Sequence, residues 1–171
     1  WTTESYCTKS EYKSKKNPFY KNGTFDFSSY MTTSGIEKPD IVVLFLGIND
    51  AGQGFTTSKS IGYFNTMINS IKTYSTDIEI GVVLTPPPGG TQDGFGKLNL
   101  CGTTRFRHKY NAFNLAKELI NTYDGDKVDN VSVVPVNVNV DCINNYKTES
   151  VAANAYTTAT VSRLVDNVHP Y

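Results

Sequence analysis

The segment Ile41-Val-Val-Leu-Phe-Leu-Gly47 limits the fold of this chain more than any other stretch of it. It is a continuous β-branched and aromatic run with no polar alternation, entered after Pro39 and left through Ile48-Asn49-Asp50. Alternation marks a strand with one wet face; its absence predicts a strand buried on both faces, as in a parallel sheet covered by helices. A bare amide and a bare carboxylate then stand at the C-terminal tip of the most apolar segment. That is the edge of an open α/β sheet at which ligands bind.

The remaining elements follow from period and punctuation. Trp1 to about Asn17 is polar and lysine-rich, and reads as an exposed loop or short helix. Asn22-Gly23, between aromatic pieces, predicts a hairpin with a type I′ turn. One helical turn ending at Gly35 is expected before Pro39. Ile61, Phe64, Ile68 and Ile71 recur at helical spacing and predict an amphipathic helix over about 57–74, capped by Thr57 or Ser58. Ile78 to Thr85 predicts a second buried strand, stopped by Pro86-Pro87-Pro88 and followed by a Gly-rich loop. A second helix is expected over about 105–123, with Phe106, Tyr110, Phe113, Leu119 and Ile120 inward, His108 on a solvated face and Gly125 past its end. Val131 to Val138 is a third strand, placed at an edge or ended by Pro135. Residues 139–171 read as loop, with a weak helix between Ser150 and Ala159. This alternation of strand and helix predicts a three-layer α/β/α domain around a parallel sheet, spanning 1–171.

Composition narrows the function classes. Among 171 residues, 16 basic and 16 acidic side chains cancel, which argues against a dedicated nucleic-acid binder. No apolar run reaches the roughly 20 residues a membrane span needs. Cys7, Cys101 and Cys142 are too few and too scattered for a zinc site, and neither a metal nor a cofactor motif is present. One Cys101–Cys142 disulfide and three ordinary thiols both fit the spacing. The Gly-rich loop lacks a phosphate-binding pattern, so a nucleotide site is not expected. Lys13, Lys15, Lys16 and Lys21, interleaved with Tyr12, Phe19 and Tyr20, fit either a lid touching sugar or polyanion, or a solvated loop with its aromatics tucked down. The balanced charge favours the second.

Two short motifs carry chemistry. Gly47-Ile48-Asn49-Asp50 delivers an amide that can donate to an oxygen becoming negative during acyl transfer. Asp166-Asn167-Val168-His169-Pro170 places a carboxylate where it can orient one imidazole and leave the other ring nitrogen free to take a proton. Each alone is weak. Together, 116 residues apart and with two βα-type units between, they specify one crevice.

In these two motifs the chain resembles the SGNH hydrolases, also called GDSL esterases and lipases. Gly47 to Asp50 matches the family's G-x-N-D block and Asp166 to Pro170 its D-x-x-H-P block. The resemblance implies a serine esterase working through an acyl-enzyme on small acyl esters, including O-acetylated carbohydrate, without a cofactor or metal. Asn49 would be the oxyanion donor, His169 the general base and then acid, and Asp166 its orienting partner. Gly47, Asp50, Gln92 and Asp93 would border the substrate, with Asp50 tying down the loop after the strand. No G-D-S occurs, and no glycine matches the family's second block. The expectation is therefore a partial domain, whose first strand with its serine, and whose terminal helix, come from another segment or chain. The alternative is a non-catalytic glycan- or protein-binding module on the same fold.

Overall fold

The computed structural model describes residues 1–93, 95 and 103–170. Helix α1 (Thr3–Thr8) opens the chain and is held by a capping box, in which Thr2 accepts from the Ser5 amide and Ser5 from the Thr2 amide. It is the short helix of the two readings offered by sequence, but it is not an exposed one: Thr3, Ser5 and Cys7 are buried. Two small antiparallel hairpins follow, β1 (Glu11–Tyr12) with β2 (Lys15–Lys16), then β3 (Tyr20–Lys21) with β4 (Thr24–Phe25). The second turns at Asn22-Gly23, both at positive φ, as a type I′ turn demands. Helix α2 (Phe27–Ser34) starts on an Asp26 cap and ends at Gly35 in the left-handed region, so the expected single turn is a longer helix.

The central sheet is parallel, in the order β5 (Ile41–Leu44), β6 (Glu79–Val83), β7 (Val131–Val134). Val42 pairs with Ile80, and Ile80 with Val131. Its crossovers are α4 (Thr57–Tyr74), reached through the short α3 (Ile48–Gln53), and α5 (Arg105–Tyr123). Thr56, one residue before the expected caps, accepts from the Lys59 amide at the start of α4. Phe64, Met67, Ile68 and Ile71 of α4 and Leu115, Leu119 and Tyr123 of α5 join Leu44, Ile80, Val82 and Val131 in one core. Each fully buried aliphatic or aromatic side chain there contributes about 1.5–3 kcal/mol.

Three expectations are corrected. First, β5 is not buried on both faces. It is an edge strand among the described residues, and Ile41 and Val43 are each 59% exposed while Leu44 faces the helices. The pleat alternates faces whatever the sequence, so a run of apolar residues shows apolar demand on both sides without supplying the cover. Second, α5 has the expected bounds but a different inward face. His108, Ala112, Leu115, Leu119 and Tyr123 are buried at spacings of four, three, four and four, whereas Phe106, Tyr110 and Phe113 are exposed. Third, residues 148–164 form no helix. They make an antiparallel hairpin, β8 (Thr148–Ala152) with β9 (Thr160–Leu164), rich in the Thr and Val that favour strands. The Pro135 reading holds: β7 is the other edge strand and stops just before the proline. Cys101, and with it the suggested Cys101–Cys142 pairing, lies outside the described residues.

Candidate active site

The strand β5 ends and α3 begins across Gly47, whose φ of +110° suits glycine. A Cβ at Gly47 would stand 2.9 Å from Leu115 Cδ2 and 3.1 Å from Thr85 Cγ2, so the close packing of α5 and β6 against this turn also requires glycine. The turn presents Asn49 at the surface and sends Asp50 inward.

These neighbours have opposite fates. Asp50 is 1% exposed, and its carboxylate accepts from the Thr3 amide, the Thr3 hydroxyl and the Ser60 hydroxyl. It ties α1 and α4 to the strand end. Asn49 donates from Nδ2 to the Trp1 carbonyl at 3.0 Å. An amide nitrogen carries two hydrogens, so this bond fixes the side chain and leaves one donor over.

At the other end of the chain, Asp166 organises a tight turn. Its Oδ1 accepts from the amides of Val168 and His169 at 2.9 and 3.1 Å, and its Oδ2 lies 2.7 Å from His169 Nδ1. Burial opposes ionisation of Asp166, but the two amides and the imidazole more than offset it, holding the carboxyl below the usual carboxylate range. The His169 side chain is 69% exposed, with Nε2 as its remaining ring nitrogen. This is an imidazole held by an aspartate through one ring nitrogen.

The turn is anchored through its middle residue, which sequence reasoning passed over. Asn167 is buried, donates to the Thr91 carbonyl at 2.8 Å, and accepts at its own carbonyl from the Gly89 amide at 2.8 Å. The loop after β6 therefore holds the histidine turn in place. Tyr146 reinforces it by donating to the Pro87 carbonyl, and Arg105 Nε donates to the Gly89 carbonyl at 2.8 Å. Gln92 and Asp93 sit within this loop: Gln92 Oε1 accepts from the Arg105 amide, and Asp93 accepts from the Thr91 hydroxyl. Both are thus engaged in shaping the loop.

The two motifs meet at a cavity of about 280 Å³ bounded by Phe45, Leu46, Ile48, Thr85, Pro86, Val168, His169 and Pro170. Its wall includes the residue before Asn49 on one side and the imidazole on the other. A second, apolar groove of about 410 Å³ runs beside β5, between Ile41, Val43 and the aromatic side chains Phe19, Phe25, Phe27 and Tyr30. It shares Phe45 and Leu46 with the first.

The domain thus combines a parallel α/β sheet with an imidazole held by an aspartate and an asparagine on the turn after β5. The family model described as GDSL-like Lipase/Acylhydrolase matches residues 10–171, and the chain belongs to that family. Neither a curated protein nor a solved structure matches it. Membership supports hydrolase activity of the lipase and esterase type in general. Among the described residues, no helix is long and apolar enough to cross a membrane.

Proposed function

We propose that this domain is a serine ester hydrolase acting on small acyl esters through an acyl-enzyme, with O-acetylated carbohydrate as a natural substrate class. The observation that carries the reading is the 2.7 Å Asp166–His169 contact at the rim of the cavity that Ile48 also lines. His169 Nε2 takes the proton from a serine hydroxyl as its oxygen attacks the ester carbonyl. Asp166 stabilises the imidazolium that forms, and Asn49 donates to the oxyanion. Collapse expels the alcohol, which receives the proton back from His169. Water then attacks the acyl-serine by the same route, releasing the acid.

The serine, in this reading, arrives on an extended segment that adds in parallel to the free edge of β5. Three features support it. The chain contains no G-D-S. The edge of β5 is unpaired among the described residues. The apolar groove along it shares Phe45 and Leu46 with the cavity beside His169. A segment laid in that groove would end at the imidazole.

The test is metal-free hydrolysis of an aryl acetate by the protein together with the segment that supplies the hydroxyl. His169→Ala abolishes turnover, and Asn49→Ala lowers kcat about 10²–10³-fold. Full activity in His169→Ala refutes the mechanism. Labelling by a fluorophosphonate, mapped by peptide mass, identifies the serine.

A further inference from the structure

We propose that Trp1, Tyr12, Lys9 and Lys13 form a subsite for an anionic sugar, so that the preferred ester is an O-acylated acidic glycan carrying carboxylate or sulfate groups. This rests on the esterase reading and names its substrate class.

Geometry ties the cluster to the site. The carbonyl of Trp1 accepts from the Asn49 amide at 3.0 Å, which puts residue 1 beside the proposed oxyanion donor. The Trp1 ring lies 5.5 Å from the Tyr12 ring, centroid to centroid, and both side chains are partly exposed. Lys9 Nζ and Lys13 Nζ each lie 5.5 Å from the centre of the same Tyr12 ring. Aromatic faces with ammonium groups alongside offer a stacking surface for the apolar face of a pyranose and counter-charges for its acidic substituent.

The charge distribution is the second observation. Net neutrality hides a segregation: from Trp1 to Phe25 five lysines oppose two glutamates, while the rest of the chain has eleven basic and fourteen acidic side chains. Among the described residues none of those five lysines forms an ion pair, and Glu4 is taken by Lys59 at 3.0 Å. Glu11 faces Lys16 across the hairpin without closing a salt bridge.

Backbone strain is the third. The loop of the β1–β2 hairpin is Lys13-Ser14, with φ of +49° and +58°. Two successive left-handed residues are the requirement of a type I′ turn, normally met by Asn-Gly. The neighbouring hairpin meets it that way, with Asn22-Gly23. Here a lysine occupies the strained position, and the turn brings its ammonium back to Tyr12. Strained residues persist where the surrounding structure or a function retains them.

The experiment compares an O-acetylated oligouronide with a neutral O-acetylated oligoxyloside, as kcat/KM for acetate release, with de-esterified oligouronide as a pure binding probe. The wild-type protein favours the uronide, and the Lys9→Gln/Lys13→Gln variant lowers the uronide-to-neutral ratio about tenfold. Raising salt narrows the wild-type ratio in the same direction. Lys117→Gln, which removes a lysine on α5, leaves the ratio unchanged. A wild-type preference for the neutral ester, or a ratio unaltered in the double variant, overturns the proposal. So does binding of a single-stranded oligonucleotide that matches or exceeds the oligouronide. Salt-sensitive, Lys9/Lys13-dependent binding of the de-esterified oligouronide, with no ester hydrolysed even when the serine-supplying segment is present, retains the subsite and rejects the esterase reading.

Discussion

Gly47 joins the strand to the site, and replacing it separates a local packing effect from a general one. In Gly47→Ala the new Cβ meets Leu115 Cδ2 at 2.9 Å and Thr85 Cγ2 at 3.1 Å, and the backbone must hold an alanine at φ +110°. Holding a non-glycine residue in a sparsely populated backbone region costs about 1–3 kcal/mol. Overfilling a packed site costs about 1–3 kcal/mol more. The expected loss is therefore roughly 2–6 kcal/mol, a large share of a domain's stability. Gly52→Ala is the matched control within α3, since a Cβ there meets nothing within 4 Å and its φ is not positive. It should be neutral or stabilise by up to about 1 kcal/mol, because alanine is the better helix former. Urea unfolding followed by circular dichroism measures both. With a slope of about 1–3 kcal/mol per molar, the Gly47→Ala midpoint falls by at least ~0.7 M while that of Gly52→Ala holds or rises. If Gly47→Ala unfolds with the wild type, or both variants lose equally, the account of this turn is wrong.

Other consequences concern buried polar groups. His108 is 1% exposed, and burial pushes its imidazole down from the ordinary 6.5 to about 4. The unfolded chain then binds the extra proton first. Stability is complete above pH 6.5 and falls as pH drops toward 4, by about 3 kcal/mol in all. Urea midpoints of the wild type and His108→Leu should diverge across that window; a pH-independent gap refutes the assignment. Asp50→Ala leaves the Thr3 amide and the Thr3 and Ser60 hydroxyls without their buried acceptor. At about 1–3 kcal/mol for a stranded donor, the loss should show as early hydrogen exchange in α1, and unchanged protection there would contradict it.

Much of the fold was legible because its signals are local. The bounds of α4 and α5 follow from helical period, the Asn22-Gly23 turn from backbone preference, and the end of β7 from the missing amide of Pro135. What failed depended on partners. On α5, Phe106, Tyr110 and Phe113 compete as an inward stripe with His108, Ala112 and Leu115, and hydrophobicity alone prefers the aromatic set, while Leu119 is buried as expected. The sheet accepts the other face, in which small Ala112 lets helix and sheet approach and His108 is carried inside with it. A lone histidine among basic residues gives no sign of burial. The β8–β9 hairpin was hidden for a related reason: its turn, Ala153 to Ala159, is a long alanine-rich loop that mimics a helical composition.

The candidate site divides along the same line. Asn49, Asp166 and His169 could be singled out because the proposed chemistry is assigned to their side chains, and side chains are what a sequence records. The groups that hold them are mostly backbone. Asn49 is fixed by the carbonyl of Trp1, and the histidine turn by the carbonyl of Thr91 and the amide of Gly89. Any residue offers a carbonyl, so nothing in the letters at 1, 89 or 91 announces the role. Asp50 is the exception, since a buried carboxylate needs donors and finds them in Thr3 and Ser60. It therefore also sets where Trp1 lies, two residues upstream of Thr3, and through Trp1 how the Asn49 amide is turned. The aspartate adjacent to the proposed oxyanion donor thus acts on that side chain through the N-terminal helix, a path that sequence adjacency alone would never suggest.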